Sequence, residues 1–349
     1  MGIGSKIKLE TRLVANRFHA SKRAGDRSCC QWGIVGTGYM GEQFSRYLGQ
    51  TEGCNVRSVC SRDAERASRF MKRHGAVSGY SNLADMLSTE YSHLDVIYVA
   101  TPVSTHYEIA MQCIKAGFNV LCEKPLCKTA KQAKVLFDVA DANEVLLAEG
   151  MWSSYLPTYR KAKEWIDEGA IGSVRHLRAA IRKSMQGSEK SCLFDFGAYA
   201  VSFTIQFLEK GRCKVSGSSV CDVEGDDRRW DIDIVAPSGV TAAVRLSTIA
   251  EGDSSAEIIG SHGSIYFPAQ FNRTNVIELR NVGGEVRERL TFDYGHLGFE
   301  HEISSVVTAV MGGSLAVESF REPTLTTISL MESLAMTCGD AFSFEMEHE

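Results

Sequence analysis

A chain of 349 residues is too long for one ordinary hydrophobic core, so two domains are expected. With 44% apolar and 23% charged residues, it has the balance of an ordinary soluble protein. A formal net charge of −5 argues against a broad nucleic-acid surface, and no stretch approaches the length of a membrane span.

Residues 1–29 are basic (Lys6, Lys8, Arg12, Arg17, Lys22, Arg23) and contain no long apolar run. They read as an extension rather than a secretory signal, with an organelle-targeting tail as the alternative. Strand then alternates with helix. Gln31–Val35 reads as a strand, Tyr39–Leu48 as a helix, Asn55–Cys60 as a strand, and Ala64–Arg73 and Leu83–Leu87 as helices. Leu94–Ala100 is a strand stopped by Thr101-Pro102. Tyr107–Ala116 is helical, Asn119–Cys122 strand-like, Thr129–Ala142 helical, and Glu144–Ala148 strand-like. This order predicts a parallel sheet covered on both faces over residues 30–150.

The pattern changes over residues 151–349. Tyr159–Glu168 reads as a helix, Val174–Arg182 as a strand and Asp195–Leu208 as a helix. Strand candidates follow at 214–223, 231–236, 241–249, 255–259, 264–267, 276–280 and 285–291. Ile232 and Ile234 alternate with Asp231 and Asp233, as they would in an antiparallel sheet with one wet face. Helical segments close the chain near 299–311 and 323–338, where they could pack back on the first domain. The fold class expected is therefore α/β, with a second α+β domain.

Eleven cysteines are scattered, and no CxxC pair or other metal-ligand cluster occurs. They read as reduced, partly buried thiols of an intracellular, cytoplasmic protein, without a disulfide framework. No HExxH motif is present, so no metal is expected.

The first chemical motif is the loop Gly36, Thr37, Gly38, Tyr39, Met40 and Gly41, set between an apolar strand and a helix. Gly36 allows the tight turn, Gly38 lets a pyrophosphate approach the backbone, and Gly41 lets the helix sit on the strand. The pyrophosphate would meet unpaired amides at the helix N-terminus. Where an NAD site usually has an acid at the end of its second strand, this chain has Ser61 and Arg62. A hydroxyl and a guanidinium suit a 2′-phosphate, so NADP(H) is preferred and NAD(H) is the alternative. Asp63 either caps the next helix or swings inward and weakens that preference. Ala100, Thr101 and Pro102 end the next central strand and belong to the candidate cofactor crevice, as does His106.

The stretch from Ala100 to Pro125, ATPxxxHxxxAxxxxxAGxxVLCEKP, resembles the signature of the glucose–fructose oxidoreductase, inositol dehydrogenase and MocA family. The similarity extends over residues 31–338. It implies a Rossmann domain followed by an α/β domain whose open, mostly antiparallel sheet often forms a dimer interface. It also implies that Lys124 hydrogen-bonds a substrate oxygen. Glu123 would orient local structure or the cofactor ribose, and Pro125 would be a cis proline beside the nicotinamide. Leu193–Tyr199 resembles the family's LxDxGxH/Y stretch, with Tyr199 where many sugar dehydrogenases have histidine. Asp195 and Tyr199 are four apart on the expected helix and so share a face. The tyrosine, the Trp152-x-x-Tyr155-x-Pro157 segment and Gly260–Gly263 resemble the dihydrodiol and xylose dehydrogenase branch. Trp152 and Tyr155 are then substrate-wall candidates or domain-interface packing. The loop Lys183–Cys192 departs from the family by being short and carrying one glycine, which leaves the substrate open.

The mechanism implied is hydride transfer to or from a hydroxyl-bearing carbon of a sugar, keto-sugar or cyclic diol. Lys124, Tyr199 and Asp195 are the catalytic candidates. Arg182, with Arg178 and Gln186, is a candidate for substrate hydroxyls. The rival readings are internal sugar oxidation and reduction on tightly bound NAD(H), and a non-catalytic cofactor-binding regulator or scaffold. The partners expected are a small polyhydroxylated or cyclic substrate and a second copy of the chain. Such a homodimer or higher oligomer would hide the open sheet's apolar face.

Overall fold

The computed structural model describes residues 29–184, 191–294, 298–311 and 321–348. The basic extension up to residue 28 and most of the short loop before Asp195, Gln186 included, lie outside them. The chain divides into two compact units. One is drawn from Met1–Gly150 and Glu302–Phe320, the other from Met151–His301 and Arg321–Glu349.

In the first unit, strands and helices alternate as β1 (Cys30–Val35), α1 (Tyr39–Leu48), β2 (Cys54–Cys60), α2 (Ala64–His74), β3 (Ser78–Tyr80), α3 (Leu83–Thr89), β4 (Val96–Val99), α4 (Val103–Lys115), β5 (Asn119–Glu123), α5 (Ala130–Ala142) and β6 (Leu147–Gly150). The sheet order is β3-β2-β1-β4-β5-β6, and every pairing is parallel. The strands are buried on both faces, which explains runs such as Val96–Val99 that show no alternation. Trp32 and Phe44 lie 5.4 Å apart between ring centres, and Phe44 stacks on Tyr98 at 3.8 Å. The strand order reverses between β1 and β4, so the loops after these two strands splay to opposite sides and leave a crevice at their carboxyl ends. β6 starts three residues later than the alternation suggests, because Glu144 takes a left-handed turn at φ 55°.

The second unit contains α6 (Pro157–Asp167), β7 (Val174–Arg182), α7 (Ala198–Phe207), β8 (Gly211–Cys221), β9 (Asp227–Val235), β10 (Thr241–Ser247), β11 (Ala256–Gly260), β12 (Gly263–Phe267), β13 (Val276–Asn281) and β14 (Val286–Thr291). Helix α8 (Phe299–Val310) passes into the first unit, and α9 (Arg321–Ala335) and β15 (Ala341–His348) close the second. The nine strands run β14-β13-β12-β11-β7-β10-β9-β8-β15, all antiparallel except β7 with β10. One face is apolar: Leu177, Ala179 and Ile181 of β7 are buried together with Ile232, Ile234, Val244 and Leu246. Helices α6 and α7 bring Tyr159 and Phe203 to Phe267, with Phe203 5.2 Å from Phe267 and 5.4 Å from Phe271 between ring centres. Burying each such ring contributes about 1.5–3 kcal/mol.

Two features of the second unit depart from the sequence reading. Residues 341–348 form an edge strand, paired along its length with β8, where only helices were expected near the end of the chain. That pairing brings Cys221, at the end of β8, to Cys338, just before β15, and the two form a disulfide. The expectation of reduced thiols throughout is corrected for this pair; the other nine cysteines are free. The second departure is at 192–197, where the helix leading to Tyr199 begins as a π-helical turn, Cys192–Gly197, before α7. Ser191 caps this turn by accepting from the Phe194 N–H, and Asp227 Oδ2 accepts the Leu193 N–H at 2.7 Å. Asp195 and Tyr199 are therefore not on one regular α-helix.

Candidate active site

The loop between β1 and α1 turns at Gly36, whose φ is 111°. A β-carbon there would lie 2.4 Å from the Ala100 carbonyl oxygen, so this close approach to the end of β4 requires glycine. At Gly38, by contrast, a β-carbon would meet nothing within 4 Å. Gly38 is the N-cap of α1 and brings no side chain to its amides, so the helix N-terminus is left for an anionic group. The residues present therefore fit a dinucleotide pyrophosphate.

At the end of β2, the Thr37 hydroxyl donates to Ser61 Oγ at 3.2 Å, and Arg62 is exposed. Asp63 takes the capping role: its Oδ1 accepts from the Glu65 and Arg66 N–H groups at 2.9 and 3.1 Å. Arg66 then reaches back to donate to the Thr37 carbonyl at 3.3 Å. The sequence reading missed Arg66. Its signal was its place in the first turn of α2, three residues after the N-cap Asp63 and close in sequence to Arg62. Tyr39 is 71% exposed at the mouth of the glycine loop, and Met40 follows it in α1.

After β4, the Thr105 hydroxyl lies 2.9 Å from Thr101 Oγ1, and Pro102 opens α4. His106 is buried with both ring nitrogens on backbone carbonyls: Nε2 is 2.7 Å from Thr101 O, and Nδ1 is 3.0 Å from Pro125 O. A neutral imidazole donates through one nitrogen only. Burial pushes the His106 ring below its ordinary value, against the raising effect of these carbonyls. The geometry makes His106 a tie between the Thr101-Pro102 turn and the Lys124-Pro125 segment, whose peptide bond is cis.

Glu123 is buried, and both its oxygens are engaged. Tyr98 donates to Oε1 at 2.5 Å and the Lys124 N–H to Oε2 at 3.2 Å. Burial raises the Glu123 carboxyl, while the Tyr98 hydrogen bond and the Lys124 charge oppose the rise. Lys124 itself is half-buried. Thus Ala100, Thr101, Pro102, His106, Glu123, Lys124 and Pro125 meet at the carboxyl ends of β4 and β5. The sequence reading did not single out Tyr98 or Glu149; an acid inside the apolar strand Leu147–Gly150 was the available signal, because buried acids are rarely unpaired.

In the second unit, Trp152 and Tyr155 occupy one 3-10 turn, Trp152–Tyr155, and both are buried. The Trp152 ring lies 5.9 Å from Tyr199 and 4.8 Å from Phe299. Its indole N–H is buried without an acceptor among the described residues, a donor that a hydroxylated ligand would satisfy. Tyr199 is buried in the first turn of α7, and Asp195 is half-buried in the π turn. Arg182 is not brought to this group. It emerges exposed at the end of β7, after buried Ile181, on the side opposite the apolar face. Arg178, on the same exposed side, pairs with Glu257. Among the described residues, one acidic group has metal-ligand spacing, Asp222, Glu224 and Asp226, and Arg228 already pairs with Asp222 and Asp226 there. No helix among the described residues is long and apolar enough to cross a membrane.

Comparison with known proteins gives the family and the fold. Residues 30–151 match the model of the oxidoreductase family with an NAD-binding Rossmann fold, and residues 159–266 match the GFO/IDH/MocA C-terminal domain. The chain is 30% identical over 263 residues to a trans-1,2-dihydrobenzene-1,2-diol dehydrogenase of Xenopus laevis, covering 71% of this chain and 78% of the relative. It is 27% identical over 330 residues to the scyllo-inositol 2-dehydrogenase (NADP(+)) IolU of Bacillus subtilis, covering 88% and 97%. The crystal structure of KijD10, a 3-ketoreductase from Actinomadura kijaniata, shares the fold with a TM-score of 0.78 at 23% identity, covering 89% of this chain and 98% of that one. With the glycine loop, the EKP segment and both domain matches in place, the chain belongs to the GFO/IDH/MocA family of oxidoreductases.

Proposed function

We propose that this chain is an NADP(H)-dependent oxidoreductase that moves a hydride to or from a hydroxyl-bearing carbon of a sugar, keto-sugar or cyclic diol. The observation that carries the cofactor choice is the end of β2. Asp63 is committed to capping α2, while Ser61, Arg62 and Arg66 flank the glycine loop. A hydroxyl and two guanidinium groups favour a 2′-phosphate over a bare ribose. The relatives named for an inositol and a dihydrodiol support the substrate class.

When bound, the nicotinamide supplies or accepts the hydride. The chain's own residues bind, orient and move the proton. Tyr199 is assigned as the acid/base and Lys124 as its electrostatic partner. Free tyrosine ionises near pH 10, and an ammonium beside a phenol favours the anion. Asp195 is assigned to orient the substrate, and the Trp152 indole to meet one of its oxygens. A homodimer through the open sheet is the assembly we assign. Sedimentation equilibrium tests it, and a monomer at all concentrations would sink it.

The test of function is titration of NADPH and NADH into the protein by fluorescence, then turnover on a panel of sugars, inositols and cyclic diols. Arg62→Ala should weaken NADPH by about ten- to a hundredfold, as loss of a charge-assisted hydrogen bond of about 1.5–3 kcal/mol implies, and leave NADH unchanged. Lys124→Ala and Tyr199→Phe should each abolish turnover while keeping NADPH binding. Failure to bind either nucleotide would overturn the proposal.

A further inference from the structure

Two buried glutamates grip the backbone on either side of Lys124. Glu123 Oε2 accepts the Lys124 N–H at 3.2 Å, and Glu149 Oε1 accepts the Leu126 N–H at 2.9 Å. Between them, the Pro125 carbonyl faces His106 Nδ1 at 3.0 Å. Three consecutive residues thus have a backbone polar atom held by a buried side chain. Glu123 and Glu149 are each 5% exposed.

A third carboxyl shares this interior. Glu302, in the first turn of α8, is fully buried, and neither of its oxygens has a hydrogen-bond partner among the described residues. The charges of Glu123 on β5 and Glu149 on β6 act on it, and its own charge acts on Tyr98 of β4. The ammonium of Lys124 acts on Glu123. Three carboxylates at such a site would each lose hydration worth several kcal/mol and repel one another. Glu123 and Glu149 both accept hydrogen bonds from backbone amides, which favours their charged forms. Glu302 accepts none, so the proton belongs there; burial, with Glu123 and Glu149 adding to it, pushes its carboxyl well above the usual carboxylate range.

We propose that Glu302, as a neutral carboxylic acid, is a positioning residue for Lys124, its proton allowing Glu123 and Glu149 to stay anionic and hold the Lys124 and Leu126 amides. The inference rests on the proposed role of Lys124 for its functional meaning, but its test needs neither substrate nor turnover. If a buried acid releases its proton when the segment opens, the opening equilibrium rises about tenfold per pH unit between the open and closed pKa values.

The experiment has two readouts on the full chain. Difference infrared spectroscopy of wild type against Glu302→Gln should show a neutral carboxylic-acid carbonyl band at neutral pH that the variant lacks. Hydrogen exchange, corrected for intrinsic rate, should show the Lys124 and Leu126 amides losing protection by about tenfold per pH unit as pH rises. That slope should be flat in Glu302→Gln and shifted to lower pH in Glu149→Gln, which removes a charge opposing Glu302 ionisation. Glu149→Gln also keeps the test alive should Glu302→Gln fail to fold. Absence of the band, an unchanged slope in both variants, or an equal slope at remote amides such as Ile232 and Val244 of the antiparallel sheet would overturn the inference. None of these outcomes bears on NADPH binding or on Lys124→Ala turnover, so the two readings fail separately.

Discussion

The two sheets of this protein place their polar groups in opposite ways. The parallel sheet is buried on both faces, and the titratable groups at its carboxyl end are interior and tied: Glu123 to Tyr98 and Lys124, Glu149 to Leu126, and His106, in the neighbouring helix, to two carbonyls. The antiparallel sheet buries one face and leaves the other to ion pairs. Arg212 meets Glu345, Arg229 meets Asp231, and Arg245 meets Asp231 and Asp233. The open face is therefore charged rather than apolar, so the homodimer proposed through this sheet would be held by polar contacts rather than by the apolar burial expected from the sequence. The contrast teaches that a buried polar group holds a loop in one position because it has no water to turn to, whereas an exposed pair can exchange its partner for solvent.

That comparison can be broken at its strongest point first. Phe203→Ala empties the aromatic cluster under the antiparallel sheet and should cost about 3–5 kcal/mol in urea unfolding. A loss below 1 kcal/mol would mean that the ring cluster is not the core of that unit. Gly36→Ala attacks the other unit through its backbone. With φ at 111° and a carbonyl oxygen 2.4 Å from the new β-carbon, the change should cost at least about 1–3 kcal/mol and abolish nucleotide binding. Retention of both would show that the turn relaxes freely.

His106 sharpens the contrast by pH. Its folded pKa is depressed, so the neutral ring contributes stability above its unfolded value of about 6.5. That contribution is lost as pH falls through the folded value, with a slope of up to about 1.4 kcal/mol per pH unit. The difference in unfolding free energy between wild type and His106→Gln should therefore shrink on acidification. A difference constant across that range would mean that the ring does not titrate differently on unfolding. The smallest effect is expected on the wet face. Arg212→Ala removes an exposed pair with Glu345 and should change stability by about 0–1 kcal/mol, less in high salt. A larger, salt-insensitive loss would show that this face is covered in solution.

Much of this was legible without coordinates, and it was legible where the physics is local. The apolar period of β1, the glycines that follow it and the proline after Thr101 each specify a backbone shape within a few residues, so the glycine turn and the order of elements in the first unit, apart from the short strand β3, could be read directly. So could the alternation of Ile232 and Ile234 with aspartates, because a half-buried strand imposes it. Strand β15 was locally visible too, in Phe342, Phe344 and Met346 alternating with Ser343, Glu345 and Glu347, yet helices were expected near the chain end.

What only the tertiary structure decided depends on residues far apart in the chain. The pairing of Cys221 with Cys338 spans 117 residues and follows from an edge strand that chose β8. Arg182 faces away from Tyr199 because strand register, not composition, sets which side of a sheet a residue takes. The π turn at 192–197 is fixed from Asp227, more than thirty residues on. Glu302 becomes a buried acid only because α8 crosses into the unit that holds Glu123 and Glu149. By itself, the sequence determined the family, most of the order of elements and the glycine and EKP segments, since each is written in neighbouring residues. The three-dimensional structure decided which polar groups lose their water, because burial depends on every segment that packs around a side chain.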